Sequence, residues 1–125
     1  TLPMKLRIKG NSIRIRLTKT EVSAIATKGY IEEHTHFGLT TLTYALSKVD
    51  DLDQLSASYI DNTITMLVPG SLVKDWPDND VISFDARIPM GDNGSLYLLL
   101  EKDFVCLDHT TEDQSDNYPN PNKTC

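Results

Sequence analysis

The sequence predicts a single α+β domain, mostly antiparallel sheet or a partly closed barrel, of about eight strands with two short helices. Three observations point there. Charged and apolar residues alternate with period two in several short runs, as half-buried strands require. Gly, Asn and Asp punctuate the spaces between those runs, where tight turns need them. Only two short stretches carry helix signals. The length of 125 residues suits one domain and allows roughly two-thirds of the unfolded surface to be buried.

The elements follow in order. Residues 5–9 (Lys-Leu-Arg-Ile-Lys) and 12–17 (Ser-Ile-Arg-Ile-Arg-Leu) alternate in the same phase around Gly10-Asn11, which tolerates positive φ. A hairpin is the natural connection. Its alternation sends Leu6, Ile8, Ile13, Ile15 and Leu17 to one face and Lys5, Arg7, Lys9, Arg14 and Arg16 to the other. A helix is expected next. Thr18 can cap it, Glu21 completes a capping box, Val22, Ile25 and Ala26 form its apolar stripe, and Gly29 stops it. Strands are expected over 30–37 and 40–46, then over 54–60 and 63–68 around the hairpin signal Asp61-Asn62. Pro69-Gly70 opens a short helix over 71–76 that Pro77 should close. The last strands are expected over 81–88 and 96–104, with the turn-rich Met90-Gly-Asp-Asn-Gly between them. Trp76 is expected to cover a sheet end. No internal repeat is visible.

The domain is expected to span 4–107. From residue 108 the composition turns polar and acidic, with Asp108, Glu112, Asp113 and Asp116 before Pro119-Asn-Pro121. Such a segment cannot fold alone. Residues 108–125 therefore read as a C-terminal arm, either mobile or held down by Tyr118 and the prolines.

A net charge of −6 and a pI near 4.9 argue against nucleic acid as a partner, because such binding wants a basic footprint on the whole domain. The longest apolar runs, such as Leu96 to Leu100, are far shorter than the ~20 residues of a membrane span, so no membrane partner is expected. No secretory signal pattern opens the sequence, and Thr1-Leu2-Pro3 reads as an addition ahead of a natural start at Met4. The expected compartment is the cytoplasm. There Cys106 and Cys125 should be free thiols, with a disulfide around the tail or metal ligation as the alternatives.

Three constellations could carry chemistry. The basic ribbon of Lys5, Arg7, Lys9, Arg14 and Arg16 gathers five cations on two adjacent strands. Like charges facing each other cost energy. Either Glu101, Asp103, Asp85, Glu32 or the arm neutralises them, or a phosphate or carboxylate ligand does, since paired arginines suit bidentate oxyanion binding. Second, Glu32, His34 and His36 fall on one face of a strand, about 7 Å apart along it, and could hold a divalent metal; His-x-His on an exposed strand is otherwise ordinary polar surface. Third, Cys106-Leu-Asp-His109 with Cys125 has half of a zinc-like spacing, and His109 could instead activate the Cys106 thiol. No cofactor is expected, with a divalent metal as the one candidate.

The opening Met4-Lys-Leu-Arg-Ile-Lys-Gly-Asn-Ser-Ile-Arg-Ile-Arg-Leu-Thr, the run Glu101-Lys-Asp-Phe-Val-Cys-Leu and the closing Tyr118-Pro-Asn-Pro resemble a family of short uncharacterised bacterial proteins, mainly from Bacteroidetes. That family is carried as a domain of unknown function. The resemblance runs from Met4 to the Pro-Asn-Pro segment and implies that the arm belongs to the domain. It supplies no catalytic residues.

The expected function is a non-catalytic domain that binds a small anion or a protein partner through the basic hairpin. The competing reading is a metal-assisted phosphoryl-transfer enzyme on an antiparallel barrel. Triphosphate-tunnel hydrolases line such a barrel with alternating Arg, Lys and Glu, but their opening Glu-x-Glu-x-Lys is absent, since Lys5-Leu-Arg7-Ile-Lys9 has no carboxylate. A third reading is an interaction module in which the C-terminal arm pairs with a neighbouring copy, making a homodimer.

Overall fold

The computed structural model describes residues 4–104 together with 116, 118 and 119. Among these residues eight strands form: β1 (Lys5–Ile8), β2 (Ser12–Leu17), β3 (Tyr30–His36), β4 (Thr41–Val49), β5 (Ser56–Ile60), β6 (Thr63–Pro69), β7 (Ser83–Pro89) and β8 (Ser95–Lys102). Helix α1 (Lys19–Lys28) joins β2 to β3, and α2 (Gly70–Val73) with a 3-10 turn at Trp76–Asp78 joins β6 to β7.

The strands build two separate four-stranded sheets, ordered β1-β2-β8-β7 and β3-β4-β6-β5. Both are mixed. Each consists of two antiparallel hairpins whose second strands lie side by side in parallel, β2 with β8 and β4 with β6. This overturns the expectation of a mostly antiparallel sheet or a partly closed barrel; among the described residues no barrel closes. The reason is physical. Alternation and turn residues reveal each hairpin, but the pairing between hairpins is decided by long-range packing. The contact of β2 with β8, some eighty residues away, leaves no local trace.

The two sheets also have the same plan. The order hairpin, helical crossover, hairpin occurs twice along the chain, over β1 to β4 and again over β5 to β8. Exchanging the halves turns one sheet's strand order into the other's. The side chains carry no matching repeat, so the duplication is one of topology alone.

Local chemistry explains the elements. The Thr18 side chain accepts from the Glu21 N–H, and Glu21 Oε1 accepts from the Thr18 N–H at 3.0 Å, completing the capping box. Gly29 ends α1 in the left-handed region at φ 79° and donates its N–H to the Ile25 carbonyl. Asp61 and Asn62 both take positive φ, as a two-residue hairpin turn matched to strand twist requires. The second helix differs from expectation. It stops at Val73, and Pro77 lies inside the 3-10 turn rather than after a helix end.

The sheets face each other across one core of Met4, Ile15, Leu17, Leu98 and Leu100 from one side and Leu46, Met66 and Val68 from the other. The Tyr44 hydroxyl spans the gap by donating to the Met4 carbonyl at 2.8 Å. Strand directions put all four hairpin turns at one end and both helical crossovers at the other. At the helical end Val22, Ile25, Leu55, Val73 and Trp76 close the core, and the Trp76 indole donates to the Val81 carbonyl at 2.7 Å. Trp76 thus covers a sheet end as expected.

The described arm residues dock at that same end. The Lys19 N–H donates to the Asp116 carbonyl at 3.0 Å, and the Tyr118 N–H to the Asp103 carbonyl at 2.8 Å. Asp116 also places a carboxylate oxygen 3.4 Å from the Thr20 amide, against the positive end of α1. The Lys102 ammonium lies 4.8 Å from the Tyr118 ring centre and 5.7 Å from that of Trp76, and donates to the Asn79 carbonyl. Burial pushes its pKa down, with Asp80 opposing.

Candidate anion-binding face

The expected hairpin forms with its two sides separated. Leu6, Ile13, Ile15 and Leu17 turn into or against the core, while Ile8, near the turn, stays 54% exposed. The opposite side of this sheet faces outward in ladder rows. Lys5 pairs with Arg16, then Glu101, then Ser83. Arg7 pairs with Arg14, then Leu99, then Asp85. Lys9 and Ser12 exchange backbone hydrogen bonds, and Ser12 continues to Tyr97 and Arg87. All five predicted cations share one face.

Carboxylates neutralise part of it. Glu101, on the neighbouring strand, accepts from Arg16 Nε at 2.5 Å and lies 3.5 Å from Arg14 Nε. Lys5 Nζ lies 2.7 Å from Asp103 Oδ2, an oxygen closed off from solvent. Asp85 is engaged elsewhere, accepting from the Tyr97 hydroxyl at 3.0 Å. Burial and this hydrogen bond hold the Tyr97 phenol above its usual range. Arg87 covers the Tyr97 ring, its guanidinium carbon 4.8 Å from the centre.

Arg7 and Lys9 are left over. Among the described residues neither has a carboxylate partner. Two shallow depressions flank the Arg7–Arg14 pair. One of about 200 Å³ is lined by Lys9, Ser12 and Tyr97, the other of about 230 Å³ by Lys5 and Arg16, and Arg7 and Arg14 line both. Among the described residues six cationic side chains, counting Arg87, thus stand with three carboxylates on one face of a chain whose net charge is −6.

Sequence reasoning missed Tyr97, Ser12 and Arg87. The alternation Tyr97, Leu99, Glu101 puts these three on one face of a strand, but only the parallel register of β8 on β2 says that this face adjoins the arginines.

The other sheet presents a different surface. Tyr30, Glu32, His34 and His36 project outward from the edge strand β3, with Thr41, Thr43 and Ser47 beside them. The Nδ1 atoms of His34 and His36 meet the Thr43 and Thr41 hydroxyls at 2.9 and 3.1 Å. His34 Nε2 lies 3.7 Å from Glu32 Oε1, and the two imidazoles stack with centres 6.3 Å apart. Among the described residues no three His, Cys, Asp or Glu side chains converge as a metal site would need. Cys106, His109 and Cys125 lie outside the described residues. The phosphoryl-transfer reading thus loses the barrel it was built on.

Over residues 4–122 the chain matches a family of unknown function, DUF7009. It belongs to that family. The match reaches from the first cationic strand through the arm residues that cap α1, which agrees with the resemblance carried by the opening and closing segments. No curated protein and no solved structure matches the chain. Among the described residues, no helix is long and apolar enough to cross a membrane.

Proposed function

We propose that the outward face of β1, β2 and β8 binds a small phosphate- or carboxylate-bearing anion without transforming it, in a cytoplasmic setting. One observation carries this reading: Arg7 stands directly opposite Arg14, yet only Arg14 has a carboxylate beside it among the described residues. Two guanidinium groups on adjacent strands repel each other, and an oxyanion between them converts that cost into charge-assisted hydrogen bonds. Lys9 adds a third cation at the rim of the same depression. The face's own carboxylates, Glu101, Asp103 and Asp85, are already engaged by Arg16, Lys5 and Tyr97, which favours binding over acid–base chemistry.

Thermal melting with pyrophosphate, ATP and citrate tests the reading. A ligand at ~100 times its dissociation constant should add roughly 2.7 kcal/mol of stability. Arg7→Ala and Arg14→Ala should each abolish the shift, and added salt should weaken it. His34→Ala, on the other sheet, should leave it intact. No shift with any of the anions, or an unchanged shift in both arginine variants, would remove the proposal.

A further inference from the structure

We propose that β5 is the edge through which two copies of this chain associate, pairing antiparallel about a two-fold axis at Ser58. The observations are independent of the anion face. Among the described residues the two sheets have four edge strands, β1, β7, β3 and β5. Three carry the charges or prolines that discourage edge-to-edge pairing. β1 has Lys5 and Arg7, β7 has Asp85 and Arg87 and ends in Pro89, and β3 has Glu32, Glu33, His34 and His36. β5 reads Ser56-Ala-Ser-Tyr-Ile60, with no charge and no proline, and its register on β6 runs unbroken.

Its side chains add to this. Tyr59 and Ile60 are 69% and 65% exposed, large apolar groups that solvent does not favour. Pairing all five residues with a second copy puts Ser58 opposite itself, Ala57 opposite Tyr59 and Ser56 opposite Ile60. Each bulky residue then meets a small one, on both faces of the joined sheet, and no like charges come opposite each other. The result is a continuous eight-stranded sheet, β3-β4-β6-β5 followed by its two-fold image. A second copy suits the edge because this match is one that the segment makes with itself. An interface of one short strand is smaller than the ~1,600 Å² of a standard stable complex, so the association is reversible and set by concentration.

Sedimentation equilibrium of the full chain over a wide concentration range tests the proposal. The expected result is a reversible shift from the 14.0 kDa monomer to twice that mass. Ser58→Lys brings two ammonium groups together at the axis and should raise the dimer dissociation constant at least tenfold. Ile60→Lys, at an exposed position, should do so too and carries the test if the first variant does not fold. With Cys106→Ser and Cys125→Ser in place, Ser58→Cys should cross-link two copies on mild oxidation, whereas Ile60→Cys, which would face Ser56, should not. A monomer at every concentration overturns the proposal. So does a dimer that both lysine variants leave unchanged, or one that cross-links through residue 60 and not 58.

Discussion

The two sheets share a strand order and a pairing scheme, yet their outward faces have little in common. One gathers Lys5, Arg7, Lys9, Arg14, Arg16 and Arg87 around Tyr97; the other sets a row of hydroxyls beside two histidines. The inward faces are alike, both apolar and both spent on the same core. The lesson is that burial constrains one side of each strand while the other side is free to acquire chemistry. The crossovers differ in the same way. α1 starts with a capping box and the carboxylate of Asp116, whereas α2 has no side-chain cap.

Both sheets depend most on their shared core. Trp76→Ala removes a fully buried indole that packs 4.9 Å from Phe84, and should cost about 3–5 kcal/mol. Because both sheets rest on that core, thermal melts followed on either face should fall together. Separate transitions would show that the sheets are independent units.

A smaller effect separates the faces. Glu101→Ala leaves Arg14 and Arg16 without the carboxylate they share, and charged hydrogen bonds of this kind make the loss about 2 kcal/mol by denaturant titration. The same variant should bind pyrophosphate more tightly, because the internal competitor is gone. Weaker binding would mean that Glu101 orients the arginines rather than competing for them.

Glu21 probes the crossover. Burial, opposed by its Thr18 hydrogen bonds and reinforced by Glu33 and Asp116, raises its pKa above 4.5. The folded chain therefore holds this proton more tightly than the unfolded chain. Its contribution is fully present below pH 4.5 and is lost as pH rises through the raised value. Glu21→Gln keeps an acceptor for Thr18 and removes the charge. It should raise stability at neutral pH and flatten this part of the stability–pH profile. An unchanged profile would assign the slope to other groups.

The smallest effect belongs to the hydroxyl face. Thr43→Ala removes only the contact with His34, and stability should move by less than about 0.5 kcal/mol. A larger loss would mean that the hydroxyl row is structural and that the two outward faces are less different than they look.

How much of this was legible follows from the range of each interaction. Hairpins at Gly10-Asn11 and Asp61-Asn62, the capped start at Thr18 and the stop at Gly29 could be read directly, because each depends on residues within four positions of one another. So could the cationic side of the first hairpin, which strand alternation alone produces. Trp76 covers a sheet end, as its flanking residues suggest, but Pro77 lies within a 3-10 turn rather than after a helix end, because a proline fits the first turn of a helix as well as the position after one. Tyr97 and Arg87 went unnoticed as parts of the anion face, for they arrive from the far end of the chain.

By itself the sequence determined the hairpins, the capped first helix and the separation of greasy from cationic side chains, since these follow from backbone periods and local hydrogen bonds. Only the tertiary structure decided that β2 lies parallel to β8, that the sheets are two rather than one, and that Glu101 reaches Arg14 and Arg16 while Arg7 is left without a carboxylate among the described residues. Those outcomes depend on which hairpin edges meet, and that is chosen by the packing of one common core.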